Sequence, residues 1–139
     1  MAYLDKKLRI RKSLIPGAGK GLFTTVDIKK GTRITEYKGK KCLWRDVKKT
    51  DGYNTYLMRI SRTMAIDGQP FLKLLGRYAN DAKGLVRIPG LRNNTEYAQY
   101  GMRVYLEATR PIAAGEEIFV DYGREFWQLQ RKLMREKKS

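Results

Sequence analysis

The chain has 139 residues, with 30 basic side chains against 14 acidic ones, a formal net charge of +16, one cysteine and no histidine. That length fits one domain, which buries roughly two-thirds of its unfolded surface and folds without staples. With Cys42 alone there is no intrachain disulfide and no cysteine-rich zinc cluster, and the missing histidines exclude every histidine-based catalytic or metal-binding scheme.

Leu8 and Ile10 alternate with Arg9 and Arg11, the pattern of a short edge strand whose charged face discourages pairing with other chains. Gly17, Gly19 and Gly21 then bracket a tight loop in Ile15-Pro16-Gly17-Ala18-Gly19-Lys20-Gly21-Leu22-Phe23. Such glycines either close a hairpin or let the backbone come close to something else. Lys29-Lys30-Gly31 is a turn, and 32–37 reads as a strand that ends at Gly39. Residues 41–50 are read as a short helix of poor periodicity, and Asp51-Gly52 as a turn. After it, 53–60 and 63–66, with Asp67-Gly68, read as a hairpin. Phe71, Leu72, Leu75 and Tyr78 stand at helical spacing behind Pro70, predicting a short helix over 70–78 that feeds Gly76-Arg77-Tyr78-Ala79-Asn80-Asp81. An irregular loop over 82–92 leads to Asn94-Thr95-Glu96-Tyr97. Strands over 95–100 and 102–106 flank a turn at Gly101.

Residues 109–115 return the chain to Gly115-Glu116-Glu117-Ile118-Phe119-Val120-Asp121-Tyr122-Gly123, where Ile118 and Val120 alternate with Phe119 and Asp121 as in a strand. A phenol, Tyr122, is thereby placed at a strand end. Taken alone, such a tyrosine is an amphipathic residue half in the core with its hydroxyl in water. Beyond Gly123 the pattern turns helical over 124–137. Phe126, Leu129 and Leu133 share one face there, Trp127 and Met134 flank it, and Glu125 early with Lys137 and Lys138 late suits the macrodipole.

These motifs, in this order and spacing, resemble the SET domain, the family of lysine methyltransferases, over about 8–127. The small free-standing SET proteins of large DNA viruses are the nearest kind. The resemblance implies a mostly β fold of several small sheets around a threaded C-terminal segment, with short helices and a C-terminal helix, as one domain over 1–139. It implies S-adenosylmethionine as cofactor, held by main-chain groups of Ala18, Lys20 and Gly21 and by Asn80, Asp81 and Trp127. Tyr122 would be the catalytic tyrosine, and Tyr37 and Tyr97 further walls of a substrate-lysine channel. Tyr97 and Val120 stand at positions that bear on how many methyl groups are added. Asn80 matches the family's Asn-His pair and Asp81 departs from it, which puts packing and cofactor affinity in question more than the chemistry.

Lysine methylation needs an uncharged amine, although the group's ordinary pKa is about 10.4. An aromatic channel disfavours the ammonium by desolvation, and in-line positioning supplies much of the rate. The implied function is thus protein-lysine N-methylation on a histone or other chromatin protein. The alternative is a catalytically weak or inactive SET-like basic module that binds DNA or chromatin. The charge calls for an anionic partner in either case, DNA or a nucleosome, while a solvated basic surface is the bland reading. Apolar runs are too short for a membrane span, and the N-terminus lacks a signal peptide's apolar segment. The expected setting is intracellular and nuclear, the host nucleus for a viral protein, with a monomer or homodimer as the working unit.

Overall fold

The computed structural model describes residues 3–51, 53–70, 74–84 and 87–138. Within them, nine short strands form three antiparallel sheets of three strands each. The first sheet runs β1 (Leu8–Lys12), β2 (Lys20–Thr24), β9 (Glu117–Ile118). The second runs β3 (Arg33–Glu36), β8 (Arg103–Ala108), β7 (Thr95–Tyr100). The third runs β4 (Lys40–Leu43), β6 (Met64–Asp67), β5 (Leu57–Arg59). A one-turn helix, α1 (Trp44–Val47), follows β4, and α2 (Arg124–Lys138) closes the described chain. No helix among the described residues is long and apolar enough to cross a membrane.

The alternation at the start is realised as expected. Leu8 is buried opposite Thr24, Ile10 stands opposite Leu22, and Arg9 and Arg11 stay exposed on the edge. The main core draws on the first two sheets through Leu8, Leu22, Ile34, Leu106, Ile118 and Val120. A second core joins the second and third sheets through Tyr37, Ile60, Ile66, Leu74 and Val104. Each fully buried branched side chain contributes roughly 1.5–3 kcal/mol.

The stretch 117–120 threads between the sheets. Ile118 pairs with Leu22 on one side, while Phe119 bridges Asn80 and Val120 bridges Thr95, both in parallel, on the other. Asn94, 1 % exposed, fastens the crossing. Its side chain accepts the Phe119 N–H at 2.9 Å and donates to the Glu117 carbonyl at 3.0 Å. The Thr95 backbone N–H and hydroxyl both donate to the Phe119 carbonyl, at 3.0 and 2.8 Å.

Three expectations are corrected. The helix expected over 41–50 is a strand first: Lys40–Leu43 pairs with β6, setting Cys42 opposite Ala65, and only Trp44–Val47 and a 3-10 turn over Lys48–Thr50 are helical. Sheet pairing outweighs a weak local pattern. The helix expected over 70–78 shrinks to a 3-10 turn, Leu75–Tyr78, with Phe71 and Leu72 outside the described residues. Leu74 is drawn into the second core, while Leu75 and Tyr78 of the spaced set both pack on the main one. The alternation at 118–120 holds in direction, but both faces are buried. Ile118 and Val120 enter the main core, and Phe119 enters a third cluster with Ile15 and Ala82.

Candidate active site

Where the threaded stretch leaves the core, Gly123 adopts φ 94°, and its N–H is received by Asp121 at 2.8 Å, so the chain reverses into α2. This turn sets Tyr122 beside the first turn of α2. The rings of Tyr37, Tyr97, Tyr122 and Trp127 follow one another at centroid spacings of 6.1, 6.5 and 5.8 Å. The first contact is edge-on, and the other two are stacked within 20°. Phe126 stands edge-on to both Tyr122 and Trp127 at 5.0 Å. A cleft of about 750 Å³ opens along this ladder.

Of the residues expected at the site, Tyr37, Tyr97, Tyr122, Ala18, Lys20, Asn80 and Trp127 all line the cleft. Gly21 and Asp81 do not line it; they stand behind its wall. A Cβ on Gly21 would fall 2.2 Å from Oε2 of Glu117, so the close approach that the glycines foretell is made here to a carboxylate of the protein itself. Glu117 is 2 % exposed. It accepts the Ser13 hydroxyl at 2.7 Å and the Leu14 N–H at 2.8 Å. Asn80 reaches the same knot, donating its amide to the Lys20 carbonyl at 3.0 Å and to Glu117 at 3.5 Å. The glycine loop, Asn80 and β9 are thus fixed as one unit. Val120 lies wholly in the core, away from the cleft lining.

Asp81 has a definite task. It is 5 % exposed, and each carboxylate oxygen receives two donors. Oδ1 takes the Lys83 N–H at 2.8 Å and the Asn93 amide at 2.9 Å, and Oδ2 takes the Tyr122 N–H at 3.0 Å and the Trp127 indole N–H at 2.7 Å. A buried carboxylate saturated in this way is no longer an uncompensated charge. It holds both the tyrosine at the strand end and the tryptophan of α2. Trp127 also lies flat on Gly84, where an added Cβ would meet the indole at 2.6 Å.

The phenols are neutral. Burial raises the pKa of Tyr122, Tyr37 and Tyr97 above the ordinary value, because it disfavours the phenolate. Tyr122 donates its hydroxyl to the Ala79 carbonyl, and Tyr37 donates to the Tyr56 carbonyl at 2.8 Å. With their protons committed to carbonyls, both oxygens have lone pairs free to accept.

Sequence reasoning missed three participants: Tyr56, Arg77 and Phe126 also line the cleft. Arg77 lies with its guanidinium 4.0 Å from the centre of the Tyr56 ring and donates to the Gly68 and Gln69 carbonyls at 3.1 and 2.7 Å. Phe126 was legible as an apolar helix position, but its place at the cleft follows only from the turn at Gly123. Lys20, Arg59 and Arg77 give the wall three cations, and no carboxylate is among the described residues that line it.

The family model for the SET domain matches residues 19–123. The chain belongs to the SET domain family. The chain resembles N-lysine methyltransferase KMT5A-A of Danio rerio, with 30% identity over 120 residues, 78% of this chain and 33% of the relative. It also resembles histone-lysine N-methyltransferase EZH2 of Chaetomium thermophilum, with 28% identity over 141 residues, 93% of this chain and 9% of that protein. This SET domain chain therefore spans about a third or less of those relatives. Among solved structures, ctPRC2 in an autoinhibited conformation bound to S-adenosylmethionine superposes with a TM-score of 0.69 at 24% identity, covering 99% of this chain and 17% of that one. The expected SET domain fold therefore holds.

Proposed function

We propose that this SET domain is a protein-lysine N-methyltransferase dependent on S-adenosylmethionine. The observation that carries the reading is the row Tyr37, Tyr97, Tyr122 along an acid-free cleft beside the glycine loop. The cleft's volume lies within the range that buries a small-molecule cofactor, and one end offers aromatic faces at Phe126 and Trp127 while the other offers phenols. Ala18, Lys20, Asn80 and Trp127 would hold the cofactor, with Gly21 and Asp81 supporting them from behind. Bound there, S-adenosylmethionine would supply a methyl group carried on a positively charged sulfur.

The residues of the chain do the rest. Tyr37, Tyr97 and Tyr122 line the cleft with aromatic rings, and the cations Arg59 and Arg77 beside them disfavour a second positive charge, so an amine rests there most easily without its proton. The Tyr122 and Tyr37 oxygens, bonded outward to carbonyls, accept N–H bonds from that amine and aim its lone pair. As neutral phenols they orient the amine and do not act as bases. The proton leaves for water at the mouth of the cleft.

A histone or another chromatin protein is the substrate class most consistent with the relatives named as histone- or N-lysine methyltransferases. A chain of net charge +16 repels a free basic tail, so presentation on DNA suits it better, in a nuclear setting. The departure at Asp81 does not favour an inactive binding module, because its carboxylate is engaged in holding Tyr122 and Trp127. Transfer of labelled methyl from S-adenosylmethionine to histones and nucleosomes, wild type beside Tyr122→Phe, is the test. The mutant keeps the ring and loses the bond to Ala79, so transfer should fall on the order of 100-fold with cofactor binding retained. Equal transfer by both chains would remove Tyr122 from the chemistry.

A further inference from the structure

A second concavity, of about 490 Å³, lies at the turn end of the third sheet. The end of β4, α1 and the turn between β5 and β6 build it, tied together by the Trp44 N–H donating to the Thr63 carbonyl at 2.8 Å. Arg45, Lys48, Arg59 and Arg62 line it around Trp44, and no carboxylate is among the described residues in its wall. Asp46 is adjacent, 3.8 Å from Arg45, but both side chains are largely exposed and such a pair holds a cation only weakly.

Arg59 is not a free surface arginine. Its Nε and Nη2 donate to the Ser61 and Arg62 carbonyls at 3.1 and 2.6 Å, and its guanidinium sits 4.7 Å from the centre of the Trp44 ring. The same residue lines the active cleft, so the groove begins where the cleft ends. Three cations around one fixed guanidinium, on a chain of net charge +16, complement a polyanion. With Arg59 already covering a face of Trp44, the ring makes a poor stacking platform for an unpaired base. Phosphate contact remains, and it is the sequence-independent part of duplex recognition.

We propose that this groove seats the phosphate backbone of duplex nucleic acid beside the cleft mouth. A lysine of a nucleic-acid-bound protein is thereby offered to the cleft from the side. The purpose of the groove rests on the lysine-methylation reading, but its binding does not.

The experiment is an anisotropy titration of a short labelled DNA duplex, without cofactor, over a salt series. It compares wild type, the triple variant Arg45→Gln, Lys48→Gln, Arg62→Gln, and a control of equal charge loss on α2, Arg131→Gln, Lys132→Gln, Arg135→Gln. Arg59 is left intact because it braces the turn and lines the cleft. The slope of log K against log salt should lose about 3 in the groove variant, at about 0.9 for each phosphate contact, and markedly less in the control. Wild-type binding by the groove variant, or equal losses in both variants, overturns the proposal. Unfolding midpoints in urea for all three chains exclude misfolding as the cause. Methyl transfer to histones and nucleosomes is read separately. Its failure in the wild type would overturn the lysine-methylation reading while leaving the duplex result standing.

Discussion

At the scale of single residues, Asp81 decides how the site is held. Replacing it by Asn turns one oxygen into a donor, and on the Oδ2 side that group would face two other donors, the Tyr122 N–H and the Trp127 indole. The expected loss of stability is about 2–3 kcal/mol. In a double-mutant cycle with Trp127→Phe, followed by urea unfolding, the two changes should fall short of additivity by about 1 kcal/mol, since both delete one bond. Strict additivity would mean that the bond is idle. Asp81 was legible as a position of interest, but only as a departure from a family pair. Its worth depends on Asn93, Tyr122 and Trp127 arriving from three other parts of the chain. The tyrosines were easier to read, because Tyr37, Tyr97 and Tyr122 each stand in a recognisable motif. Tyr56 carries no such motif, Arg77 stands in one without an expected role, and only the fold brings them to the cleft.

At the scale of elements, the crossing at 117–120 is the joint on which the site is mounted. Asn94 supplies two side-chain bonds to it from a buried position. Asn94→Ala would leave the Phe119 N–H and the Glu117 carbonyl without those partners, and we expect about 2–4 kcal/mol of lost stability in chemical denaturation. A loss below about 0.5 kcal/mol, the level of an ordinary surface change, would show that the backbone bonds alone hold the crossing. A strand with one wet face, β1, was legible from alternation, whereas β8 buries Val104, Tyr105 and Leu106 in succession. The threaded stretch was legible in direction only, because periodicity cannot report that Phe119 finds a second core on its far side. The strand at Lys40–Leu43 was illegible for a related reason. Its partner at Met64–Asp67 supplies the pairing that its own residues do not announce.

At the scale of the whole molecule, one buried phenol, Tyr37, and two half-buried ones, Tyr97 and Tyr122, tie stability to alkaline pH. Burial raises the pKa of Tyr122, Tyr37 and Tyr97 in the folded chain above 10.0. A folded state that holds these protons more tightly than the unfolded one keeps their contribution in full below about pH 10 and loses it as the pH climbs through the higher folded values. Urea midpoints of the wild type should fall above about pH 10, and Tyr37→Phe should show a shallower fall. Parallel profiles would contradict the assignment, since lysine titration is common to both chains. The threading has a further consequence, for biosynthesis. Ser13 and Glu117 meet across 104 positions of sequence, and Leu22 waits for Ile118. A nascent chain halted before Glu117 has its first sheet without a third strand, its main core without Ile118 and Val120, and the Asn94 side chain and the Asn94 and Thr95 N–H groups unanswered. Folding must therefore wait for residues 117–120 to be made, and a ribosome-stalled fragment ending at residue 116 should remain protease-sensitive, while one that presents residue 123 becomes resistant.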